Sequence, residues 1–384
     1  MKLRRSIIAF SAVAVTINLT VAVHADQSSS SIGKATSQNF QFSGVRSHGY
    51  PVQPGQDQTN TSGTPATYTD QLSPLADQSN GDSKWLQSFV RNFYSEQGTP
   101  SGKSYVVGSL SPKPPISCHG ACTTLTGTIS LIPVWVGSWA GSDVAAWNAQ
   151  LGNIVTSLGS AAANSVSLSG HVFNTNTLYF TSQGLTPPSL QWVPNVSVTA
   201  PTDPNGQETD ANVANDINTF ISANPTIVPA GTTPVYIYIG ADSTLLTSGF
   251  GTTYCGWHSY GATAGLTNVP FIAFQNFSSI YNKACSAQTS SPNGNIALDA
   301  MSSVMVHEVD ETLTDPTFNA WYDSTGAESA DKCAWSFGKT LRVGTSQYNV
   351  TLGSIKYLIQ QDWLENNLVT PSGSGAGTAC SITG

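Results

Sequence analysis

Charged residues are scarce in this sequence. Its 384 residues include 14 Lys and Arg and 22 Asp and Glu, so that 9% are charged and the formal net charge is −8 at pH 7. The sequence has no basic run and no patch of interleaved basic and aromatic residues, which argues against nucleic-acid binding. Beyond the N-terminus no stretch is long and apolar enough to cross a bilayer, so we expect no transmembrane anchor in the mature chain.

The N-terminus has the features of a secretion signal. Three basic residues, Lys2, Arg4 and Arg5, open the chain. A largely apolar segment follows at residues 7–23, and Val23-His24-Ala25 fits the small-residue rule for cleavage. We therefore predict a signal peptide at residues 1–25 and a secreted protein. In a eukaryotic source the sequons of Asn60, Asn195, Asn276 and Asn349 would be candidates for N-linked glycans.

Methionine and cysteine are also few. No methionine follows Met305, so the methionine turn of metzincin proteases is absent. The even count of six cysteines after a secretion signal favours three disulfides. Proximity along the chain suggests the pairs Cys118–Cys122, Cys255–Cys285 and Cys333–Cys380. The segment Cys118-His119-Gly120-Ala121-Cys122 could instead be half of a metal site.

Composition separates two regions after the signal. Residues 26–120 are rich in Ser, Gln, Thr, Gly and Pro, and we expect a low-complexity N-terminal region or pro-segment there. Within it, Trp85, Phe89 and Phe93 have the spacing of a short helix, which belongs either to the fold or to a docked pro-segment. Residues 121–384 are predicted to form a single α/β domain.

Hydrophobic periodicity predicts strands and helices in this second region. The predicted strands are 128–137, one or two within 165–181, 234–240, 270–274 and 348–350, and the predicted helices are 143–158, 210–223, 299–313 and 355–363. Residues 254–260 are predicted to be a loop. The order indicates a mixed, twisted sheet with helices, which is compatible with a zincin-like domain in which a sheet lies above an active-site helix.

The helix predicted at 299–313 contains the segment His307-Glu308-Val309-Asp310-Glu311. Residues four apart share one helix face, so His307 and Glu311 could both reach one ion, which would offset the cost of burying a carboxylate. The segment resembles the zinc-protease motif H-E-x-x-H, with Glu311 replacing the second His. Alternatively, His307 is a satisfied core histidine and Glu311 binds a backbone amide or Lys332.

Two acidic residues in the following loop, Glu328 and Asp331, are candidates for further metal ligands. Zinc is the expected metal and calcium the alternative, because one imidazole among several carboxylates also suits a structural calcium. In a hydrolase, Glu308 would take a proton from the bound water while the metal polarises a carbonyl.

Four short segments between residues 130 and 380, taken together, indicate a family resemblance. They are Leu131–Trp139, Tyr254–Tyr260, Pro292–Met301 and Trp321–Trp335. Together they resemble the Exordium (phosphate-induced protein) family, and the H-E-x-x-E segment before Thr-Asp-Pro and Trp-Tyr-Asp is similar to a divergent microbial branch. Asn295 stands where that family often has Asp.

The resemblance implies a secreted, cell-wall or apoplastic protein, linked in plants to cell expansion and growth signalling, but it supplies no biochemical activity. The expected partners are extracellular or cell-wall components. Three interpretations remain open: an Exordium-like protein without known activity, a zinc-dependent hydrolase of the metallopeptidase kind, and a protein with a structural metal.

Overall fold

The computed structural model describes a defined part of the chain. The described residues are 41–47, 50–51, 115–157, 173, 175–263, 266–277, 282–324, 326–338, 340–365 and 379–381. The predicted signal peptide and the predicted helix around Trp85 lie outside them.

The described residues form short strands and a few helices. The strands are β1 (Gln41–Arg46), β2 (Tyr50–Pro51), β3 (Ile116–Cys118), β4 (Thr128–Val136), β5 (Ser189–Trp192), β6 (Val198–Thr199), β7 (Gln207–Glu208), β8 (Thr233–Gly240), β9 (Leu245–Leu246), β10 (Tyr254–Thr263), β11 (Leu266–Gln275), β12 (Trp321–Asp323), β13 (Leu341–Val343), β14 (Ser346–Tyr348), β15 (Val350–Leu352), β16 (Ile355–Tyr357), β17 (Asp362–Leu364) and β18 (Ala379–Ser381). The helices are α1 (Gly141–Ser157), α2 (Thr177–Thr181), α3 (Asp210–Ala223), α4 (Asn282–Cys285) and α5 (Ile296–Thr314), and a 3₁₀ turn spans Asp331–Cys333.

The main sheet is mixed. Its order is β1-β10-β11-β8-β4-β5, with β2 beside β10 and β6 beside β4. Strands β11, β8, β4 and β5 run parallel, whereas β10 is antiparallel to both β1 and β11. Nearly every residue of β4 and β8 is buried, as expected of central strands covered on both faces. The predicted mixed α/β class is confirmed.

Helix α5 packs against β10 and β11 and is buried along almost its whole length. Its N-cap is Asn295, whose side chain accepts a hydrogen bond from the backbone N–H of Leu298 at 3.0 Å. The helix ends at Thr314, two residues before Pro316, because proline disfavours helical geometry in the residue that precedes it. The helix predicted from the apolar spacing is therefore confirmed, with slightly wider bounds.

Three strands, β1, β2 and β3, lie in the region 26–120 expected to be of low complexity. Strand β1 pairs antiparallel with β10, placing Gln41 opposite Ala262, and β2 pairs with the start of the same strand. Tyr50 is 1% exposed, and its ring packs edge-on against the rings of His307 and Trp335, each at a centroid distance of 4.9 Å. This short N-terminal segment therefore contributes to the sheet and to the core.

The three predicted disulfides are confirmed: Cys118–Cys122, Cys255–Cys285 and Cys333–Cys380. Because Cys118 and Cys122 bind each other, the alternative that they form half of a metal site is wrong. The second disulfide ties β10 to α4, just before the chain enters α5.

Three predictions of secondary structure are wrong. Residues 254–260, predicted to be a loop, form β10, whose polar and glycine residues mask a strand that is paired on both edges. Leu178 and Phe180 alternate like a strand but lie in the short helix α2. Residues 355–363 form β16 and the start of β17 rather than a helix, since Gly353, at a φ of 60°, makes the turn of the β15–β16 hairpin.

None of the helices in the described ranges combines the length and apolar character needed for a membrane crossing.

Candidate metal centre

Helix α5 brings an imidazole and a carboxylate together on its buried side. His307 Nε2 lies 3.2 Å from Glu311 Oε1, as their separation of four residues predicts. The same carboxylate oxygen accepts a hydrogen bond from the backbone N–H of Asp331 at 3.0 Å. Of the two local partners suggested for Glu311, the backbone amide is thus present, whereas Lys332 binds Asp323 Oδ2 at 2.7 Å.

A second histidine reaches the same place from strand β10. Gly256 and His258 share the strand face that packs on α5, because side chains alternate along a strand. A Cβ atom on Gly256 would lie 2.4 Å from Val304 Cγ1, so the bare glycine lets the helix approach the strand closely. His258 Nδ1 consequently lies 3.3 Å from Glu308 Oε2, to which it hydrogen-bonds, and 3.6 Å from Glu311 Oε2.

Replacing this glycine tests the close approach. Gly256→Ala is expected to lower the free energy of unfolding by about 1–3 kcal/mol, because the added methyl group displaces Val304 in a packed core. Chemical denaturation of the purified protein measures the change. Gly141→Ala is the matched control, since a Cβ atom there meets nothing within 4 Å. Equal stability of the two variants would contradict the close packing of α5 on β10.

The loop after β12 supplies two further carboxylates. Glu328 Oε1 lies 3.8 Å from His258 Nε2, and Asp331 Oδ1 lies 3.8 Å from His307 Nε2. The backbone N–H of Glu328 donates to Asp331 Oδ2 at 3.2 Å, which fixes the two acidic residues relative to each other. Strand, helix and loop therefore converge on one buried cluster.

Two groups of three side chains in this cluster could hold a divalent cation. They are His258, Glu311 and Glu328, and His307, Glu311 and Asp331. Within each group the potential ligand atoms lie within 4.8 Å of one another. The structure thus brings together all four residues predicted as ligands and adds His258, with Glu311 common to both groups.

Glu308, the predicted catalytic base, belongs to neither group. Its Oε1 accepts a hydrogen bond from the backbone N–H of Tyr50 at 3.0 Å, and its Oε2 receives one from His258. Both carboxylate oxygens are therefore engaged, and the side chain orients the ring of His258.

The electrostatics of the cluster fit a bound cation. Burial raises the pKa of Glu311, Glu328 and Asp331 well above the usual range, and repulsion by neighbouring carboxylates, Glu308 among them in each case, raises it further. Several buried atoms have no hydrogen-bond partner among the described residues: Nε2 of His258 and of His307, Oε2 of Glu311 and Oε1 of Glu328. A divalent ion would both neutralise the charge and satisfy such atoms.

Sequence reasoning missed His258. The signal was available, because this histidine ends the Cys255-Gly256-Trp257-His258 segment that carries part of the family resemblance. Assigning that segment to a loop left the direction of the imidazole undefined. Only a strand fixes which side chains face the helix.

A family model described as the phosphate-induced protein 1 conserved region matches residues 117–351. The chain belongs to this family. All the residues of the candidate metal centre lie inside the matched range: His258, His307, Glu308, Glu311, Glu328 and Asp331.

Among curated relatives, Protein EXORDIUM-like 3 of Arabidopsis thaliana is 36% identical over 95 residues. The match covers 21% of this chain and 27% of that protein, so it spans about a quarter of the relative's length. No solved structure matches the chain.

One of the segments that carry the family resemblance anchors the site helix. Asn293 Nδ2 donates hydrogen bonds to Asp299 Oδ1 at 2.6 Å and to the backbone oxygen of Lys356 at 2.7 Å. Gln150 of α1 donates to the same oxygen of Asp299 at 2.8 Å. The Pro292-Asn293-Gly294 element thus fixes the first turn of α5 to α1 and β16 and has a structural role here.

Proposed function

We propose that this chain is a secreted, extracellular or cell-wall protein of the phosphate-induced family that binds a divalent cation, zinc, in the buried cluster. The proposal depends on one observation. Buried atoms that could act as metal ligands and that lack a hydrogen-bond partner among the described residues converge from β10, α5 and the loop that carries Glu328 and Asp331. The ion would join three parts of the chain that are far apart in sequence. Its role would be structural, because ligands that converge only in the folded chain couple the binding of the ion to folding.

Zinc is preferred over calcium because of the donor set. Each candidate group combines an imidazole nitrogen with two carboxylates, a mixture that zinc accepts readily. Calcium is held by oxygen ligands, typically six to eight of them.

The secreted location is supported by the features of the signal and by the three disulfides, which persist in oxidising compartments. We propose residues 121–384 as the family domain, to which β1, β2 and β3 add three strands. Of the sequons, Asn349 is a poor acceptor for a glycan, because its Nδ2 donates to the backbone oxygens of Phe337 and Ile359 at 2.9 and 2.6 Å.

A zinc-dependent hydrolase with a zincin-like arrangement of sheet over helix is the less favoured alternative. Glu308 would need a free oxygen beside a metal-bound water, whereas both of its oxygens accept hydrogen bonds. The residues of the cluster are also between 0 and 2% exposed, which leaves a substrate little access.

Elemental analysis of the purified protein tests the proposal. We expect about one zinc per chain, retained on dialysis and restored by zinc after chelation. A preparation that stays folded but binds neither zinc nor calcium would overturn it.

Glu308→Gln then separates a structural from a catalytic role. The variant puts an amide N–H against either Tyr50 N–H or His258 Nδ1, so zinc affinity is expected to fall roughly 10–100-fold, as for other outer-sphere partners. Zinc competition with a chromophoric chelator measures this. A hydrolytic activity that the wild type has and a zinc-loaded variant lacks would instead support the hydrolase.

A further inference from the structure

The two candidate groups compete for one carboxylate, and hydrogen bonding decides between them. An imidazole nitrogen binds a metal through its lone pair, so it must not carry a proton. In a neutral ring one nitrogen carries the proton and the other carries the lone pair. The hydrogen-bond partner of Nδ1 shows which of the two states that nitrogen has, and Nε2 then has the other. In this cluster the two histidines have partners of opposite kind.

His258 is arranged as a ligand. Its Nδ1 faces Glu308 Oε2 at 3.3 Å, and a carboxylate oxygen only accepts, so the proton of the neutral ring lies on Nδ1. The lone pair is left on Nε2, which is buried and lies 3.8 Å from Glu328 Oε1. A carboxylate–histidine pair of this kind is the usual support of a metal-binding imidazole.

His307 is arranged in the opposite way, because its Nδ1 lies 3.1 Å from Gln360 Nε2. The orientation of that amide is fixed by two backbone groups. Gln360 Oε1 accepts from the N–H of Trp335 at 3.2 Å, and Gln360 Nε2 donates to the carbonyl of Ala330 at 2.7 Å. Exchanging the amide oxygen and nitrogen would face donor with donor and acceptor with acceptor.

The amide of Gln360 therefore donates to His307 Nδ1, which must accept. The proton of the neutral ring then lies on Nε2, between Glu311 Oε1 at 3.2 Å and Asp331 Oδ1 at 3.8 Å. A protonated nitrogen has no lone pair for an ion. The group that contains His307 is consequently closed to a cation, although its spacing suits one.

Glu311 links the two histidines. Its Oε1 faces His307 and accepts from the backbone N–H of Asp331, whereas its Oε2 lies 3.6 Å from Nδ1 of His258 and has no hydrogen-bond partner among the described residues. The division of its oxygens leaves one free for an ion on the side of His258.

We infer that a single zinc ion is held by His258 Nε2, Glu311 Oε2 and Glu328 Oε1, and that His307 is a positioning residue whose tautomer Gln360 sets. This ligand set rests on the proposed function and revises the set predicted from the sequence. The Nε2–H of His307 attracts Glu311 Oε1 electrostatically at 3.2 Å, and Glu308 orients His258 by a hydrogen bond. The H-E-x-x-E segment then supplies one ligand, Glu311, and two residues that orient the ligands.

Zinc titration of the full mature chain tests the ligand set, with His258→Gln, His307→Gln and the control His119→Gln. His119 belongs to neither candidate group, and its ring stacks on that of Tyr322. We expect one zinc per wild-type chain. Affinity should fall in His258→Gln by more than the roughly 10–100-fold that loss of an outer-sphere partner costs, and in His307→Gln by no more than that amount. The control should match the wild type.

The outcomes are distinguishable. Two zinc ions per wild-type chain, or a larger loss of affinity in His307→Gln than in His258→Gln, would overturn the ligand set and leave the proposed function standing. A wild type that binds no zinc would overturn the proposed function itself.

A nitrogen-15 NMR spectrum of the wild type supplies a readout that does not depend on variants folding. It should show His307 protonated at Nε2 with a bare Nδ1, both with and without zinc. A zinc-bound Nε2 on His307 would contradict the inference.

Discussion

Removing the ion is expected to lower the free energy of unfolding by about 4 kcal/mol, relative to protein at free zinc roughly 1,000-fold above the dissociation constant. The reason is that the ligands from β10, α5 and the loop converge only in the folded state, so the unfolded chain binds zinc poorly. Chemical denaturation with and without a chelator measures the difference. Unchanged stability after confirmed removal of zinc would contradict a structural ion.

The metal-free protein should also become less stable as the pH rises. Burial raises the pKa of Glu311 and Glu328 above the ordinary value of 4.5, and repulsion by neighbouring carboxylates adds to this. At these two groups the folded chain therefore holds more protons than the unfolded one, so their contribution to stability is fully present below pH 4.5 and is lost as the pH rises through the raised pKa values. The neighbours that repel one or both are Glu308, Asp315, Asp331 and Asp362.

The zinc-loaded protein should lack most of this loss above pH 7, because the ion favours the ionised carboxylates. Asp216, on α3, gives a background in both forms, since burial raises its pKa to about 7. Measuring both forms in an Asp216→Asn background removes that contribution. A metal-free protein whose stability rises with pH between 5 and 8 would contradict the predicted sign.

Tyr50→Ala is expected to lower the free energy of unfolding by about 3–5 kcal/mol, the range for removing a large buried aromatic ring. The ring fills the space between His307 and Trp335, and the residue is 1% exposed. Because the ring also supports His307, zinc affinity should fall in the same variant. Denaturant unfolding followed by zinc titration measures both effects.

Tyr50→Phe is the matched control, because it keeps the ring and removes only the hydroxyl group. We expect it to retain most of the stability that Tyr50→Ala loses. Wild-type stability of Tyr50→Ala would indicate that this segment is a detachable pro-segment rather than part of the core.

The elements that the sequence predicted correctly are those whose burial pattern is local. The central strands β4 and β8 are covered on both faces, so each appears in the sequence as a nearly continuous apolar run, and the length of α5 makes the helical spacing of its apolar residues visible. The disulfides could also be predicted, because each cysteine pairs with its neighbour in the order of cysteines along the chain. His307 and Glu311 could be paired because four residues make about one helical turn.

The parts that escaped prediction depend on contacts between distant segments. Strand β10 is stabilised by hydrogen-bonded pairing with β1 on one edge and β11 on the other, and no local sequence pattern in Tyr254–Thr263 predicts either partner. The role of His307 depends on Gln360, which lies 53 residues away and is fixed by Trp335 and Ala330. A helical spacing alone could not show which imidazole nitrogen keeps its lone pair.

The most direct test of the metal centre is the anomalous X-ray signal of zinc in crystals of the full mature chain. We expect one peak per chain, about 2.0–2.2 Å from His258 Nε2 and from one carboxylate oxygen each of Glu311 and Glu328. A peak on His307 Nε2, or crystals grown with equimolar zinc that show no peak in this cluster, would contradict the account.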